Sequence, residues 1–437
     1  MVQPRLSVII PAYDNVALLD VTLASLTRQN LPADEFEVIV CDDGSPTPLT
    51  PAVDKYADRL TITCVRAEQN RGRSANRNAG AAQARADVLV FLDSDTVAHP
   101  DLLGHHLSFH ASRSGRPGVL LGRRFDIDWV GVDALRRGEP LTEPMLDAYR
   151  GDPRDINCCL PQHLADFRRA PWLLGFSHNV SLDRATFTAV GGFDEAIVRW
   201  GLEDTELFYR VFHHHGGARD LFELSDDAAA YHLPHYRPTH ALLATLDNIN
   251  YVTRKHRRYD FEAMHSPGTL GELLGRVRLY GDAIAACRHN GLGRPASLPT
   301  GIREELAANR TLAIGFGVAD LALGEGSHTF DHDAPQSDTN WHLLGLMLQH
   351  FKTGQFDRIV NVDLWRFLMP EDLNLFVTKG LLKSDQIDLV ATHGGPDPAT
   401  VLPLPFVAGL DYVAQMLDAH FKVHTTTYDG VSVLTAR

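Results

Sequence analysis

Two aspartates separated by one serine close the apolar run Val88 to Leu92: Asp93, Ser94 and Asp95. A hard divalent cation prefers carboxylate oxygens and commonly joins enzyme carboxylates to substrate phosphates, so this spacing suits a site that holds a diphosphate. The plainer reading is a strand ending in an Asp-Ser turn. A second acidic pair, Glu203 and Asp204, opens a segment in which Leu207, Phe208, Val211 and Phe212 recur at helical spacing. The helix dipole favours acids at such a place without any further role. It does not account for Trp200, three residues upstream, a flat apolar face of the kind that stacks on sugar rings. A carboxylate can take a proton only when ionised. Both a nearby cation and the helix N-terminus favour that form, so Asp204 is expected to be charged at neutral pH.

Alternating strand and helix patterns place these residues. Leu6 to Ile10 is a short β-rich run closed by Pro11, Val16 to Arg28 has helical spacing, and Phe36 to Cys41 again reads as a buried strand. Leu60 to Val65, a helix around Ser74 to Ala84, and Val88 to Leu92 continue the alternation. This predicts an α/β fold with a doubly wound sheet, whose ligands sit beyond the carboxyl ends of the strands. Asp42, Asp43, Asp93 and Asp95 all fall just past strand ends.

From about Pro234 long helical patterns take over, Thr239 to Tyr259 and Thr269 to Asn290, followed by the Gly/Pro-rich linker Gly291 to Gly301. Strands are then expected at Phe356 to Leu364 and Ile387 to Thr392, with a closing hairpin over Val423 to Thr435 that turns at Asp429-Gly430. The division expected is a catalytic domain over residues 1–235, a helical segment and linker over 236–300, and a smaller accessory α/β domain over 301–437. Gly315-Phe316-Gly317 is a weak match to a nucleotide-binding turn because the third glycine is misplaced, and the tail loosely resembles the second half of a methyltransferase. Asp331, His332 and Asp333 form a polar cluster without interpretable spacing.

Composition narrows the classes. With 44% hydrophobic and 22% charged residues over 437, the chain is globular and exceeds what one core usually organises. A net charge of -14 argues against nucleic acid as a partner. Five cysteines, Cys41, Cys64, Cys158, Cys159 and Cys287, include no Cys-x-x-Cys pair, so neither a disulfide framework nor a cysteine zinc site is indicated, and a reducing cytoplasmic compartment fits. No signal peptide or transmembrane run is evident. Whether copies of the chain associate is left open. Of the 22 histidines, His213, His214 and His215 read as surface residues near a helix end. The basic run Arg254 to Arg258 reads as cations closing a helix.

Over roughly the first 235 residues the sequence resembles family 2 glycosyltransferases with the A-type nucleotide-sugar fold. The segments that carry the resemblance are Ser7 to Tyr13, Val40 to Ser45, Asn70 to Ser74, Arg77-Asn78 and Asp93-Ser94-Asp95, in family order. A second cluster, Asn179 to Ser181, Gly191 to Glu195 and Arg199 to Leu207, is similar to the acceptor-side segment of chondroitin-polymerase-like and β-1,4-galactosyltransferase-like enzymes. The resemblance implies transfer of a sugar from a UDP-sugar donor to an acceptor hydroxyl, with Mn2+ or Mg2+ as cofactor. It places Pro11, Ala12, Tyr13, Asp42, Asp43, Asn70, Arg71 and Gly72 on the donor, with Arg77 facing its diphosphate and Asp93, Ser94 and Asp95 on ribose and metal. Arg199, Trp200 and Gly201 would meet the acceptor, with Asp204 as general base and Glu203 orienting hydroxyls. The presence of Asp204 implies inversion, since related retaining enzymes typically lack it. His232 would join Asp95 on the metal, with His235 a weaker candidate and a satisfied strand-end histidine the rival reading. Two alternatives stay open: a bifunctional protein with a methyltransferase-like tail, and an inactive sugar-binding scaffold.

Overall fold

The computed structural model describes residues 3–139, 141, 142, 145, 152, 166–235, 240–265, 270–393, 398–401 and 408–437. It divides into two compact units, Met1–Asn248 and Ile249–Arg437. Cys158 and Cys159 lie outside the described residues; Cys41, Cys64 and Cys287 are free thiols. Among the described residues no helix is long and apolar enough to cross a membrane.

The first unit is built on β1 (Leu6–Ala12), β2 (Phe36–Asp42), β3 (Ile62–Arg66), β4 (Val88–Leu92), β5 (Thr96–Ala98), β6 (Val119–Asp126), β7 (Asn179–Asp183) and β8 (Phe222–His232). Their order in one mixed sheet is β3-β2-β1-β4-β7-β6-β8-β5. The strands β1 to β4 pair in parallel, β7 runs antiparallel to β4, and β8 is parallel to β6. This is the α/β architecture with a doubly wound mixed sheet expected from the sequence.

The central strands are apolar on both faces because both are covered. Leu6, Val8 and Ile10 of β1 join Val38 and Val40 of β2 and Leu19 and Leu23 of the helix Val16–Leu26 in one core. The opposite face carries the helix Arg73–Gln83, whose Gly80 lies so close to Ile9 and Cys41 that a methyl there would meet Cys41 Sγ at 2.4 Å. At the end of the chain order of the sheet stand Glu203–His214, with Leu207, Phe208, Val211 and Phe212 buried as the periodicity predicts, and β8.

The second unit carries β9 (Thr311–Gly315), β10 (His328–Asp331), β11 (Arg358–Val362), β12 (Ile387–Thr392), β13 (Val423–Tyr428) and β14 (Val431–Ala436), in the order β10-β9-β11-β12-β14-β13. The expected strands and closing hairpin are all present. Here β9 to β12 are parallel, and β14 is antiparallel to both β12 and β13.

Candidate functional site

The parallel register sets Ala12 opposite Asp42 and carries β4 alongside β1, so the residues following three neighbouring strands meet at one edge of the first sheet. There they border a cleft of about 350 Å³. Of the residues singled out in the sequence, Pro11, Ala12, Tyr13, Asp43, Asn70, Gly72, Arg77, Asp93, Ser94, Asp95, Trp200 and His235 line it. Arg73, from the Asn70 to Ser74 segment, lines it too, as do Asn15, Asn76 and Val198, which carried no motif signal of their own. Asp42, Arg71, Arg199, Gly201, Glu203, Asp204 and His232 stand outside its wall.

Adjacent aspartates do different work. Asp42 is fully buried and accepts hydrogen bonds from the Ser45 and Leu49 N–H groups and from Arg66, which bends the chain after β2. Those bonds hold its carboxyl below the usual range although burial opposes them. Asp43 faces the cleft and accepts from the N–H groups of Arg71 and Gly72, at 2.8 and 2.9 Å. Burial nonetheless pushes its carboxyl up. Gly72 has φ of 90°, and a side chain there would meet the Val198 carbonyl oxygen at 2.7 Å, so the loop closes only around glycine. Arg71 points outward into an exposed ion pair with Glu195.

Arg77 joins the two halves of the site. Its guanidinium is buried, donates to Asp93 Oδ1 at 3.0 Å and to Glu203 Oε1 at 3.3 Å, and lies 5.4 Å from the centre of the Phe193 ring. A buried arginine is stable only when paired, and here two carboxylates pair it. Burial, joined by the Asp95 charge, would raise the Asp93 carboxyl; Arg77, with smaller help from Arg73 and His178, holds the group below the usual range.

Asp95, His232 and His235 bring their ligand atoms within 4.8 Å of one another, among the described residues the group of such side chains that fits a metal ion. The ring of His235 lies 2.9 Å from Asp95 Oδ2 through Nδ1, and that of His232 lies 3.8 Å from it through Nε2. Asp95 Oδ1 is buried with no hydrogen-bond partner. An orphaned carboxylate oxygen costs free energy unless something else meets it, and two imidazoles beside it complete an N/O donor set suited to a divalent cation. Sequence reading ranked His235 below His232. Its exposure to the cleft, which periodicity does not report, makes it an equal member of the group.

The acidic pair departs from expectation in one respect. Glu203 is buried, facing Arg77 and accepting from the Gly201 N–H at 3.0 Å. Asp204 accepts from the N–H groups of Thr205, at 2.8 Å, and Ser177, at 3.3 Å. Burial, reinforced by the neighbouring Glu203, pushes the Asp204 carboxyl up to about 7, so it is only part-ionised at neutral pH. The helix N-terminus contributes about 0.3–1 kcal/mol, which moves a carboxyl by less than one pH unit and cannot offset this. The turn before the pair is strained: Gly201 has φ of 104° and Leu202, not a glycine, has φ of 70°. A bulky residue in that region costs about 1–3 kcal/mol and persists only where its surroundings hold it. Asn248 does so by donating to the carbonyls of Arg199, Trp200 and Gly201, and no sequence pattern marked it.

In the second unit the equivalent edge is occupied by the protein itself. Asp331 at the end of β10 accepts from the N–H groups of Gly317, Ala319 and Asp333. Asp363, after β11, accepts from Gly293 and from both the backbone and hydroxyl of Thr392. The Phe316 N–H bonds the Gly293 carbonyl, so the segment around Gly293 lies across the ends of β9 and β11. The carboxylates around the Gly315 to Gly317 turn are therefore engaged with the chain's own backbone.

Residues 7–161 match the model of glycosyl transferase family 2, and residues 170–235 match that of the N-terminal domain of galactosyltransferase. Validoxylamine A glucosyltransferase from Streptomyces hygroscopicus subsp. jinggangensis is 38% identical over 263 residues, covering 58% of this chain and 61% of that protein. Chondroitin synthase from Pasteurella multocida is 32% identical over 245 residues, covering 52% of this chain and 24% of that protein. The chain thus spans less than two thirds of the length of these relatives. Among solved structures, S. aureus TarS 1-349 in complex with UDP-GlcNAc has a TM-score of 0.44 at 18% identity, over 69% of this chain and 80% of that one.

Proposed function

We propose that this chain, which carries a family 2 glycosyltransferase domain followed by a galactosyltransferase-type segment, transfers a sugar from a UDP-sugar to an acceptor hydroxyl with inversion. The observation that carries this reading is the cleft at the strand ends, where Asp43, Asp93 and Asp95 converge and Arg77 joins Asp93 to Glu203, the neighbour of Asp204. The names of the relatives, a glucosyltransferase and a polysaccharide synthase, agree with it.

In this reading Tyr13, Asp43, Asn70 and Gly72 receive the nucleoside, and Asp42 braces their loop from beneath. Asp95, His232 and His235 hold the divalent ion, Mn2+ or Mg2+, which when bound supplies positive charge against the departing diphosphate. Trp200 gives the acceptor ring a face to lie on, and Arg199 and Gly201 shape the loop that presents it. Asp204 takes the proton of the acceptor hydroxyl while that oxygen attacks the anomeric carbon and the bond to the diphosphate breaks, its electron pair leaving with the phosphate oxygen. Glu203, anchored on Arg77, orients hydroxyls of the acceptor or donor. Residues 301–437 act as an accessory α/β region, and the free thiols fit a reducing cytoplasm.

A panel of nucleotide sugars screened by thermal shift with Mn2+ tests the donor class, because a true donor stabilises the folded chain by mass action. Stabilisation by UDP-sugars that disappears on chelation is the expected result. Donor hydrolysis without acceptor then separates a working enzyme from an inactive sugar-binding scaffold, which would release no UDP.

A further inference from the structure

Asp126, the last residue of β6, carried no motif signal, and none of the roles assigned above uses it. The sheet register sets it directly opposite His232 of β8, and on the other side of β8 His232 is opposite Thr96, the residue after Asp95. Asp126, His232 and Thr96 thus stand in one row across three neighbouring strands, with Asp95 one residue before Thr96. The row depends on an irregularity: Gly122 pairs with Ser225, but Arg124 pairs with Ala230, so β8 gains extra residues in the interval. Without that shift Asp126 and His232 would not be level. Asp126 Oδ1 lies 3.0 Å from His232 Nδ1, and Arg124 donates to the same oxygen through Nε at 2.8 Å. Both side chains of the pair are largely buried, at 15% and 8% exposure, so the contact is not exchanged with water.

We infer that Asp126 is a positioning residue for the cation site: it accepts the Nδ1 proton of His232, fixes the ring, and leaves the Nε2 lone pair directed toward Asp95. The inference rests on the reading of Asp95, His232 and His235 as the metal group. An imidazole that donates from one nitrogen to a carboxylate is held in the tautomer whose other nitrogen can ligate, and it is a stronger donor for it. Arg124 balances the charge of Asp126, so the carboxylate orients the ring without adding a net negative charge beside the diphosphate. Bracing the strand end is the competing explanation, and it predicts a loss that is independent of His232.

The test is Mn2+ titration of the full chain by calorimetry, in a cycle of Asp126→Ala, His232→Ala and the double variant. Removing an outer partner of a ligating histidine typically weakens metal affinity about 10- to 100-fold. Asp126→Ala should show that loss in the otherwise unaltered chain and no further loss in the His232→Ala background. Asp126→Asn, which keeps an oxygen acceptor and the side-chain volume, should fall between the wild type and Asp126→Ala; it carries the test if the alanine variant does not fold. An unchanged Mn2+ affinity in Asp126→Asn and Asp126→Ala, or an equal loss in both backgrounds, overturns the positioning role while leaving the metal group standing. If His232→Ala itself leaves Mn2+ affinity unaltered, the metal reading fails and the role of Asp126 fails with it.

Discussion

Both units place acids beyond the carboxyl ends of parallel strands, yet they use them in opposite ways. In the first, Asp43, Asp93 and Asp95 face a cleft; Asp43 and Asp93 are engaged there by Arg71, Gly72 and Arg77, but one buried oxygen of Asp95 has no hydrogen-bond partner. In the second, Asp331 and Asp363 are taken up by N–H groups of Gly317, Ala319, Asp333, Gly293 and Thr392. Sheet topology offers the same kind of edge twice. What separates a candidate site from a brace is whether the polar groups at that edge are already satisfied by the chain itself.

The sharpest way to break this contrast is Asp204→Asn. The substitution keeps size and the acceptor oxygen for one N–H while removing the proton acceptor. Single-turnover transfer should fall by ~10²- to 10⁴-fold with UDP-sugar affinity retained. Near-normal turnover would sink the base assignment, and collapsed donor affinity would make Asp204 a donor residue instead.

Asp95→Ala ranks next. It should abolish the metal dependence of UDP binding, and His235→Ala should weaken Mn2+ affinity by about 10-fold or more, on the scale at which even outer-shell changes are felt. Calorimetry with and without chelator reads both. Metal-dependent UDP affinity that survives Asp95→Ala removes that residue from the site.

On the other side of the comparison, Asp331→Asn should leave UDP binding unaltered and lower stability by about 0.5–1.5 kcal/mol, the net worth of a hydrogen bond that is lost while its part-buried N–H groups can still reach water. Chemical denaturation with a UDP titration checks it. S-adenosylmethionine titrated into the same chain should give no binding heat; a saturable signal would make the second unit a ligand site after all.

The smallest effect is on pH. Transfer should rise as Asp204 ionises through about 7. Its raised value also means that the folded chain holds this proton more tightly than the unfolded one, whose Asp titrates near 3.8. The Asp204 contribution to stability is therefore greatest below that range and declines as pH climbs toward 7. Asp93 and Asp95, held low, act in the other direction: their contribution is present at neutral pH and is lost as pH falls below the ordinary carboxylate range. A flat rate profile between pH 6 and 8 in single-turnover assays, sampled about every half unit, would contradict the assignment of Asp204 as the titrating base.

How far the sequence could be read follows the same division between local and distant causes. Strands such as Leu6–Ala12 and Val88–Leu92 announce themselves because two covered faces require an unbroken apolar run, and the Asp93-Ser94-Asp95 and Glu203-Asp204 pairs are contiguous. Asp42 could not be separated from Asp43 in sequence, because which one turns inward is decided by Ser45, Leu49 and Arg66. Asp126 and Asn248 were invisible for a stronger reason. One depends on a strand register shifted in mid-course, the other on a helix reaching three carbonyls nearly fifty residues back in the chain. Asp204 departs from expectation because the acidic motif, the cation it implies and the helix dipole are legible in sequence, whereas the burial that raises its carboxyl is not.

Arg77 gives these carboxylates a common counter-charge. Asp93 and Glu203, which sit 110 positions apart in the chain, draw on one cation, and Asp204 feels it as well. The titrations of Asp93 and Asp204, and the mutational effects of all three, cannot then be independent. Neutralising Asp93 releases Arg77 toward Glu203, and whatever stabilises a charge on the acceptor side is felt on the donor side. Coupling between such neighbours typically reaches about 0.5–3 kcal/mol. A family of variants at these positions should behave as a single electrostatic body, in which the arrival of a diphosphate beside Asp93 changes how readily Asp204 gives up its proton.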